Sequence, residues 1–268
     1  MSKNCSKRKN CRLCGSEKLS QCFKLESTPP ANAFIKKEDI SVEQERFPLE
    51  VYFCEDCFHV QILDIVNPKI LFENYVYVSG TSPVFVKHFQ DYANYILTNF
   101  PQSKNSLVID IGSNDGTLLQ FFKQKGHKVV GIDPAKNICS NANNQGIETL
   151  NEFFDFEYSK KIKDNYGKAD VITANNVFAH VDDLTDFVSG IKHLLSNDGI
   201  FVFEVSYLGD VITKNALKKV YEIFLKNKNI SFLFGTVLRH YKTGSILKYG
   251  YDFNRMIYNF DFATSHST

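Results

Sequence analysis

Leu107-Val-Ile-Asp-Ile-Gly-Ser-Asn-Asp-Gly-Thr-Leu-Leu119 is the stretch from which the rest of the chain is read. Leu107 to Ile111 is a short apolar run, the pattern of a parallel strand buried on both faces. Gly112, Ser113, Asn114, Asp115 and Gly116 then form a sharp turn. Thr117 to Phe122 continues with apolar residues at helical spacing. Strand, glycine turn and helix together make the opening unit of a nucleotide-binding α/β sheet. Without side chains, Gly112 and Gly116 let the backbone approach a ligand closely. The spacing is G-x-x-x-G, so it is neither G-x-G-x-x-G nor the phosphate loop G-x-x-x-x-G-K-[ST]. Taken alone, such a turn can also be a plain βα corner with no ligand.

Downstream, strand and helix patterns alternate. Strands are expected at Leu107–Ile111, Lys128–Ile132, Ile147–Leu150, Ala169–Ala174 and Ile200–Val205. Helices are expected over about 116–125, 135–144, 157–165, 184–196 and 207–216. This alternation predicts an α/β fold with a doubly wound, mostly parallel sheet. Asp133 ends the second strand, roughly 20 residues past the first, where such a unit places an acid for the ribose hydroxyls. Asp is equally suited to capping the next helix. The acid and the turn together point to an adenosine-type ligand. NAD and S-adenosylmethionine both suit this layout. A dinucleotide needs close backbone approach at its pyrophosphate, and Asn114 stands where the fingerprint has its central glycine. S-adenosylmethionine has no phosphate and tolerates a polar side chain there.

The N-terminal part has a different character. Cys11-Arg-Leu-Cys14 and Cys54-Glu-Asp-Cys57 are two C-x-x-C knuckles, the second reached through a strand-like run from Phe47 to Phe53. Four thiolates are the donor set of a closed, structural zinc site; redox dithiols or an iron–sulfur cluster are the other readings. His59 lies beside the second knuckle and reads as a packing or surface residue. The remaining cysteines, Cys5, Cys22 and Cys139, read as free thiols. The odd count of 7 cysteines argues against a disulfide framework. A zinc domain is expected over residues 8–66 and the α/β domain over 67–268. Between the two patterns, Tyr75, Tyr77, Ser79, Thr81 and Ser82 make a hydroxyl-rich segment that could donate to a ligand carboxylate. Ser82-Pro83 also reads as the cap of a helix from Val84 to about Leu97.

Composition narrows the function classes. Lys and Arg number 31 and Asp and Glu 30, a net charge of +1, which gives no electrostatic case for nucleic acid or a membrane surface. No apolar run approaches the ~20 residues of a membrane span. The basic N-terminus has no apolar segment behind it, so it is not a secretory signal. A cytoplasmic protein acting on a small molecule is the expectation.

With these residues in view, the chain resembles the sugar-nucleotide C-methyltransferases, which join an N-terminal zinc-binding domain to a class I S-adenosylmethionine methyltransferase core. The matching motifs are Cys11-x-x-Cys14, Ala31-Asn-Ala-Phe34, Cys54-x-x-Cys57, Tyr75-Val-Tyr-Val-Ser79-Gly-Thr-Ser82-Pro83 and Ile109-Asp-Ile-Gly-Ser-Asn-Asp-Gly-Thr-Leu118. Gly131-Ile-Asp-Pro134, Asn175-Asn-Val-Phe-Ala-His180-Val-Asp182 and Phe203-Glu-Val-Ser-Tyr-Leu-Gly-Asp210 complete them. The resemblance implies S-adenosyl-L-methionine as cofactor, a structural Zn2+ on Cys11, Cys14, Cys54 and Cys57, and a nucleotide-linked keto-deoxysugar as substrate. The cofactor set it implies is Tyr77, Ser82, Asp110, Gly112, Asn114, Gly116, Asp133 and Asn175. Of these, Gly112, Asn114 and Gly116 would form the turn and Asp133 would hold the ribose. Asn175, Tyr77 and Ser82 would lie at the methionine end, and His180 would face the sugar. Family chemistry removes a proton beside a ketone, so it needs a base and donors for the enolate oxygen.

Beyond Asn215 the chain departs from the family. The family continues to a Tyr-His-Glu-His motif, whereas this chain has Val220-Tyr221-Glu222-Ile223-Phe224. Only Tyr221 matches, which leaves His180 and Tyr221 as the catalytic candidates. The tail is expected to be either a truncated or frame-shifted end or a divergent hairpin with strands at 230–234 and 245–249. A degenerate, non-catalytic member that binds S-adenosylmethionine and zinc is the alternative function, and an NAD-dependent sugar-nucleotide enzyme the second.

Overall fold

The computed structural model describes residues 3–31 and 33–205, and these fall into two compact units, 3–73 and 74–205. The first unit contains β1 (Cys5–Lys7), β2 (Leu19–Thr28), β3 (Phe47–Cys54), β4 (Val60–Ile62), β5 (Asp64–Val66) and a short helix, α1 (Pro68–Phe72). Strands β2, β3 and β4 form an antiparallel sheet, and β1 pairs with β5. Strand β3 follows the run read from the sequence. Its Pro48 sits where the pairing with β2 is irregular, between Leu25 and Thr28, so no ladder hydrogen bond is lost to its missing N–H. Strand β2 was not expected: most of its side chains are exposed, so it carries no alternating apolar signal. Among the described residues of this unit only Cys11, Phe47, Cys54, Gln61 and Leu63 are buried. So small an apolar core needs another source of stability.

The second unit is the α/β domain. It runs α2 (Pro83–Asn99), β6 (Leu107–Ile111), α3 (Thr117–Gln124), β7 (Lys128–Ile132), α4 (Lys136–Asn144), β8 (Thr149–Leu150), α5 (Phe156–Tyr166), β9 (Ala169–Asn175), α6 (Leu184–Leu194) and β10 (Leu195–Glu204). The five strands lie in the order β10-β9-β6-β7-β8, and every neighbouring pair is parallel. This is the doubly wound sheet expected from the sequence. The chain order reverses between β6 and β9, and in such sheets ligands bind at that reversal, beyond the carboxyl ends of the strands. Side-chain oxygens of Ser82, Asp155 and Asp183 cap α2, α5 and α6 by accepting N–H bonds from Phe85, Tyr158 and Asp186. The larger boundary differences from the sequence reading lie at the α6–β10 junction and at β8. Helix α6 ends at Leu194 and passes directly into β10, which has an irregular register between Leu195 and Ile200. Strand β8 is shorter than expected, because Ile147 closes the end of α4 by donating its N–H to Ala142. The expected helix over 207–216 and strands at 230–234 and 245–249 lie outside the described residues.

Each face of the sheet has its own core. Leu107, Ile109, Ile111, Ile172 and Phe201 pack with Ile162 of α5 and Phe187 and Ile191 of α6. Val108 and Val171 pack on the other face with Phe89, Tyr92 and Ile96 of α2 and Leu118 and Phe122 of α3. Strand alternation sets the later residues on that second face. Val108 is succeeded by Asp110, Val171 by Thr173 and Asn175, and Val202 by Glu204. The face under α2 therefore changes from apolar to polar toward the carboxyl ends of the strands. No helix among the described residues is long and apolar enough to cross a membrane.

Candidate functional site

The glycine turn requires left-handed backbone: φ is 70° at Gly112, 51° at Asn114 and 77° at Gly116. Two of these positions fall to glycine and one to asparagine, the residue types that adopt this region most readily. The space left by the missing side chains is taken up by neighbouring side chains. A Cβ on Gly112 would run into Val177, and one on Gly116 would come within 2.7 Å of Ile147. These glycines admit neighbouring side chains, so any ligand contact at either position would be made by backbone. The N–H groups of the turn are also largely engaged. Gly112 and Ser113 donate to the carbonyl of Ile132, Gly116 to that of Ser113, and Thr117 to Asp115. A phosphate cradle depends on such N–H groups being free.

The side chains of the turn hold the hydroxyl-rich segment. Asn114 Oδ1 accepts the N–H of Ser79 at 2.9 Å, and Asn114 Nδ2 donates to the Tyr77 carbonyl at 2.9 Å. Asp115 Oδ2 accepts the N–H of Gly80 at 2.8 Å, while its Oδ1 takes the Thr117 hydroxyl at 2.7 Å. Asn137 of α4 reaches the Tyr75 carbonyl at 3.4 Å. Residues 75–80 are thus fastened to the turn and to α4 by side-chain amides and a carboxylate. Burial, then Tyr75 and Asp115, raise the Tyr77 phenol pKa. Ser82 caps α2, so its oxygen already accepts from Phe85 while its O–H remains a donor.

Asp133 is buried and receives two backbone N–H bonds, Oδ2 from Asn114 and Oδ1 from Ala135, both at 2.9 Å. Burial raises its pKa against the pull of those two donors. Two lone pairs remain for other donors. Asp110 lies in the middle of the sheet, 4% exposed, with the Thr173 hydroxyl donating to it at 2.7 Å. Burial pushes its pKa up to about 7; Thr173 opposes this and Asp133 adds to it.

Around Asp110 the polar face holds His88, Tyr92 and Glu204, which the sequence reading missed as a site, beside Asn175, which it included. His88 Nε2 lies 2.6 Å from Glu204 Oε2, joining α2 to the end of β10. Tyr92, one turn further along α2, is 2% exposed, and burial together with Asp110 and Glu204 drives its phenol pKa well up. Asn175, at the end of β9, is the register partner of Glu204. Its carboxamide approaches the Tyr92 hydroxyl and opposes that rise, without a well-formed hydrogen bond. Tyr92 Oη, Asn175 Oδ1 and Asn175 Nδ2 are all buried with no partner among the described residues. The available signal was an acid at or next to the end of an apolar strand, at Glu204 as at Asp110, together with a His and a Tyr four apart on a helix that packs on those strands. His180 is exposed, at the end of a single turn, Phe178–His180, just after β9, whose Phe178 is buried in the core. Tyr221 lies outside the described residues.

In the first unit the two knuckles bring Cys11, Cys14, Cys54 and Cys57 together, with all four Sγ atoms within 4.8 Å of one another. Cys11 and Cys57 are 3.6 Å apart, as are Cys14 and Cys54. Tetrahedral zinc with Zn–S of ~2.3 Å sets sulfurs about 3.8 Å apart, so the cluster has the right donors at the right spacing. Left-handed backbone at Gly15 and Phe58 closes both turns. Burial disfavours the Cys11 thiolate, but N–H groups of Cys14 and Leu13, then Gln61 at 3.0 Å, outweigh it and bring the pKa down to about 6. Gln61 is itself held by the N–H of Arg12, so the sulfur has the oriented outer-shell donor typical of metal sites. His59 is not part of the cluster.

Comparison with known proteins gives two family matches. Residues 11–72 match the family described as "Putative zinc binding domain", and residues 86–242 match "Methyltransferase domain". The C-methyltransferase NovU of Streptomyces niveus is 31% identical over 211 residues, 79% of this chain and 50% of that protein. An uncharacterized methyltransferase of Staphylococcus carnosus is 27% identical over 130 residues, covering 46% of this chain and 57% of its own length. The chain thus spans about half the length of the curated relatives it matches. Among solved structures, the plantazolicin methyltransferase BpumL superposes with a TM-score of 0.44 at 16% identity, covering 59% of this chain and 58% of its own. A SAM-dependent methyltransferase from Agrobacterium tumefaciens gives 0.38 at 16% identity, covering 47% and 46%.

Proposed function

Since this chain belongs to the methyltransferase domain family, we propose that it transfers the methyl group of S-adenosylmethionine to a carbon beside the ketone of a nucleotide-linked deoxysugar. The observation that carries the donor half of this reading is the fastening of residues 77–80 to the glycine turn by Asn114 and Asp115. It joins the two stretches that would hold the two ends of one ligand. The turn backbone and Asp133 would take the adenosine end, with the free lone pairs of Asp133 accepting ribose hydroxyls. Tyr77, Ser82 and Asn175 would take the amino-acid end, and the Asn175 carboxamide, without a well-formed hydrogen bond among the described residues, fits that role. The engaged N–H groups of the turn favour this donor over a dinucleotide, whose pyrophosphate would need them.

The acceptor half rests on the likeness to NovU, a C-methyltransferase. When bound, the donor supplies an electrophilic methyl on a positive sulfur. The chain's own residues must orient the acceptor, hold the proton leaving its carbon, and keep water away. His180 and Tyr221 are the substrate-facing candidates. The zinc of the four-cysteine cluster is structural: four thiolates close its shell and leave no position for substrate.

Labelled methyl transfer to a panel of keto-deoxysugar nucleotides tests the whole reading, and calorimetry with S-adenosylhomocysteine tests the donor half alone. Binding without transfer to any ketone would point to a non-catalytic member. Stabilisation by NAD but not by S-adenosylhomocysteine would overturn the donor assignment.

A further inference from the structure

The polar face under α2 contains a pair that none of the assigned roles uses. His88 and Glu204 are 2.6 Å apart, with side chains 17% and 26% exposed, so both are shielded but still reachable. Glu204 sits at the carboxyl end of β10, on the ligand edge of the sheet. Asn176 reaches its other oxygen at 3.4 Å and donates its backbone N–H to the Glu204 carbonyl at 2.7 Å, from a left-handed φ of 58°. Beside the pair lie Tyr92 Oη and the Asn175 carboxamide, buried and with no well-formed hydrogen bond among the described residues. A stabilising helix-to-strand ion pair would not need polar groups left unsatisfied next to it, since each costs free energy when buried. Such groups are suited to a ligand oxygen that completes them.

We propose that His88, oriented by Glu204, is the base that removes the proton from the carbon beside the substrate ketone, with Tyr92 as donor to the enolate oxygen. This rests on the proposed carbon methylation. With its Nε2–H given to the Glu204 carboxylate, the imidazole presents Nδ1 as a lone-pair base, and the same carboxylate steadies the imidazolium that forms. The α C–H bond breaks, the proton passes to Nδ1, and its electron pair remains as an enolate with the charge on oxygen. In the complete reaction that pair makes the new carbon–carbon bond to the donor methyl. The pair of the broken sulfur–methyl bond returns to sulfur, leaving a neutral thioether.

Proton removal can be read without methyl transfer. The full chain is placed in D2O with S-adenosylhomocysteine and either thymidine- or uridine-diphosphate 4-keto-6-deoxyglucose, and NMR follows loss of the α-proton signal. The unaltered chain is expected to speed exchange at least ~100-fold over buffer. His88→Asn and Glu204→Gln should each lose most of that acceleration while binding S-adenosylhomocysteine within about threefold of the parent. Glu204→Asp, which keeps the carboxylate, should retain part of it. Exchange within threefold of the parent in His88→Asn overturns the proposal, as does absence of exchange by the parent. Loss of S-adenosylhomocysteine binding together with exchange would assign the pair to the fold and also overturn it. Exchange without methyl transfer would sustain the pair and overturn the methyl-transfer reading. Transfer to oxygen or nitrogen without exchange would leave a methyltransferase and overturn the pair.

Discussion

Asn114 accepts the backbone N–H of Ser79 at 2.9 Å, so a side chain of the glycine turn holds a loop 35 positions earlier in the chain. The same carboxamide donates to Tyr77, and both of its ends are therefore used. Asn114→Ala would leave the Ser79 N–H buried without a partner, at a cost of about 1–3 kcal/mol. If residues 77–80 help to bind S-adenosylhomocysteine, the ligand must then order a released loop, and affinity should fall ~10-fold or more. Asn114→Asp keeps the acceptor but sets a carboxylate against the Tyr77 carbonyl, and should recover only part of the loss. Chemical denaturation and calorimetry on the three proteins measure both effects. Unchanged affinity in a folded Asn114→Ala protein would remove the loop from the ligand site.

Gly112 is constrained twice, by its φ of 70° and by Val177 in the space a Cβ would fill. Gly112→Ala should destabilise the domain by ~2–4 kcal/mol, from backbone strain and overpacking together. Val177→Ala removes the steric part and leaves the strain. The double variant should therefore be more stable than the sum of the two single losses predicts, by about 1 kcal/mol or more. Urea denaturation of the four proteins closes the cycle. Simple additivity would mean that Val177 is not what excludes the side chain.

These two cases indicate where the sequence was legible. Gly112 and Gly116 stood out because a turn requires their backbone freedom, but what would fill the vacated space depended on Val177 and Ile147, which come from elsewhere in the chain. The parallel sheet could be read from its apolar runs, since strands buried on both faces leave an uninterrupted signal. Strand β2 could not, because its exposed side chains carry no period. The cysteine knuckles declared themselves by spacing, and the structure brings all four sulfurs together. His88, Tyr92 and Glu204 did not, because 116 positions separate His88 from Glu204. Only the order of strands, with β10 next to β9, brings the end of β10 together with Asn175.

The first unit buries few apolar side chains, and two of its five buried residues are the cluster cysteines Cys11 and Cys54. Zinc binding should therefore supply much of its folding free energy, on the order of 10 kcal/mol at neutral pH for a site of this type. The purified chain should hold about one zinc ion per molecule. Cys54→Ser should abolish most of that content and make residues 3–73 sensitive to protease. His59→Ala should leave the zinc content unchanged, because His59 is outside the cluster. Elemental analysis with limited proteolysis checks all three. A full zinc complement in Cys54→Ser would show that the metal is held elsewhere.

Asp110 gives the second unit a pH dependence of definite sign. Its carboxyl titrates at about 7 in the folded chain, raised by burial from an ordinary value of 3.8. Between those values the folded protein holds a proton that the unfolded chain has released. Stability should therefore fall as pH rises from about 4 through about 7, and remain lower above that, where a charge is buried in the sheet. The effect is on the order of 2–4 kcal/mol. Asp110→Asn keeps an oxygen for the Thr173 hydroxyl and cannot ionise. The variant should match the parent near pH 4 and exceed it by most of that amount at pH 8. His127 works in the opposite sense at lower pH: burial lowers its pKa, so its charging costs stability as pH falls, and both proteins share that loss equally. The informative quantity is the difference between the two denaturation curves across pH. A difference that stays flat from pH 4 to pH 8 would mean that Asp110 is ionised in the folded sheet at every pH tested.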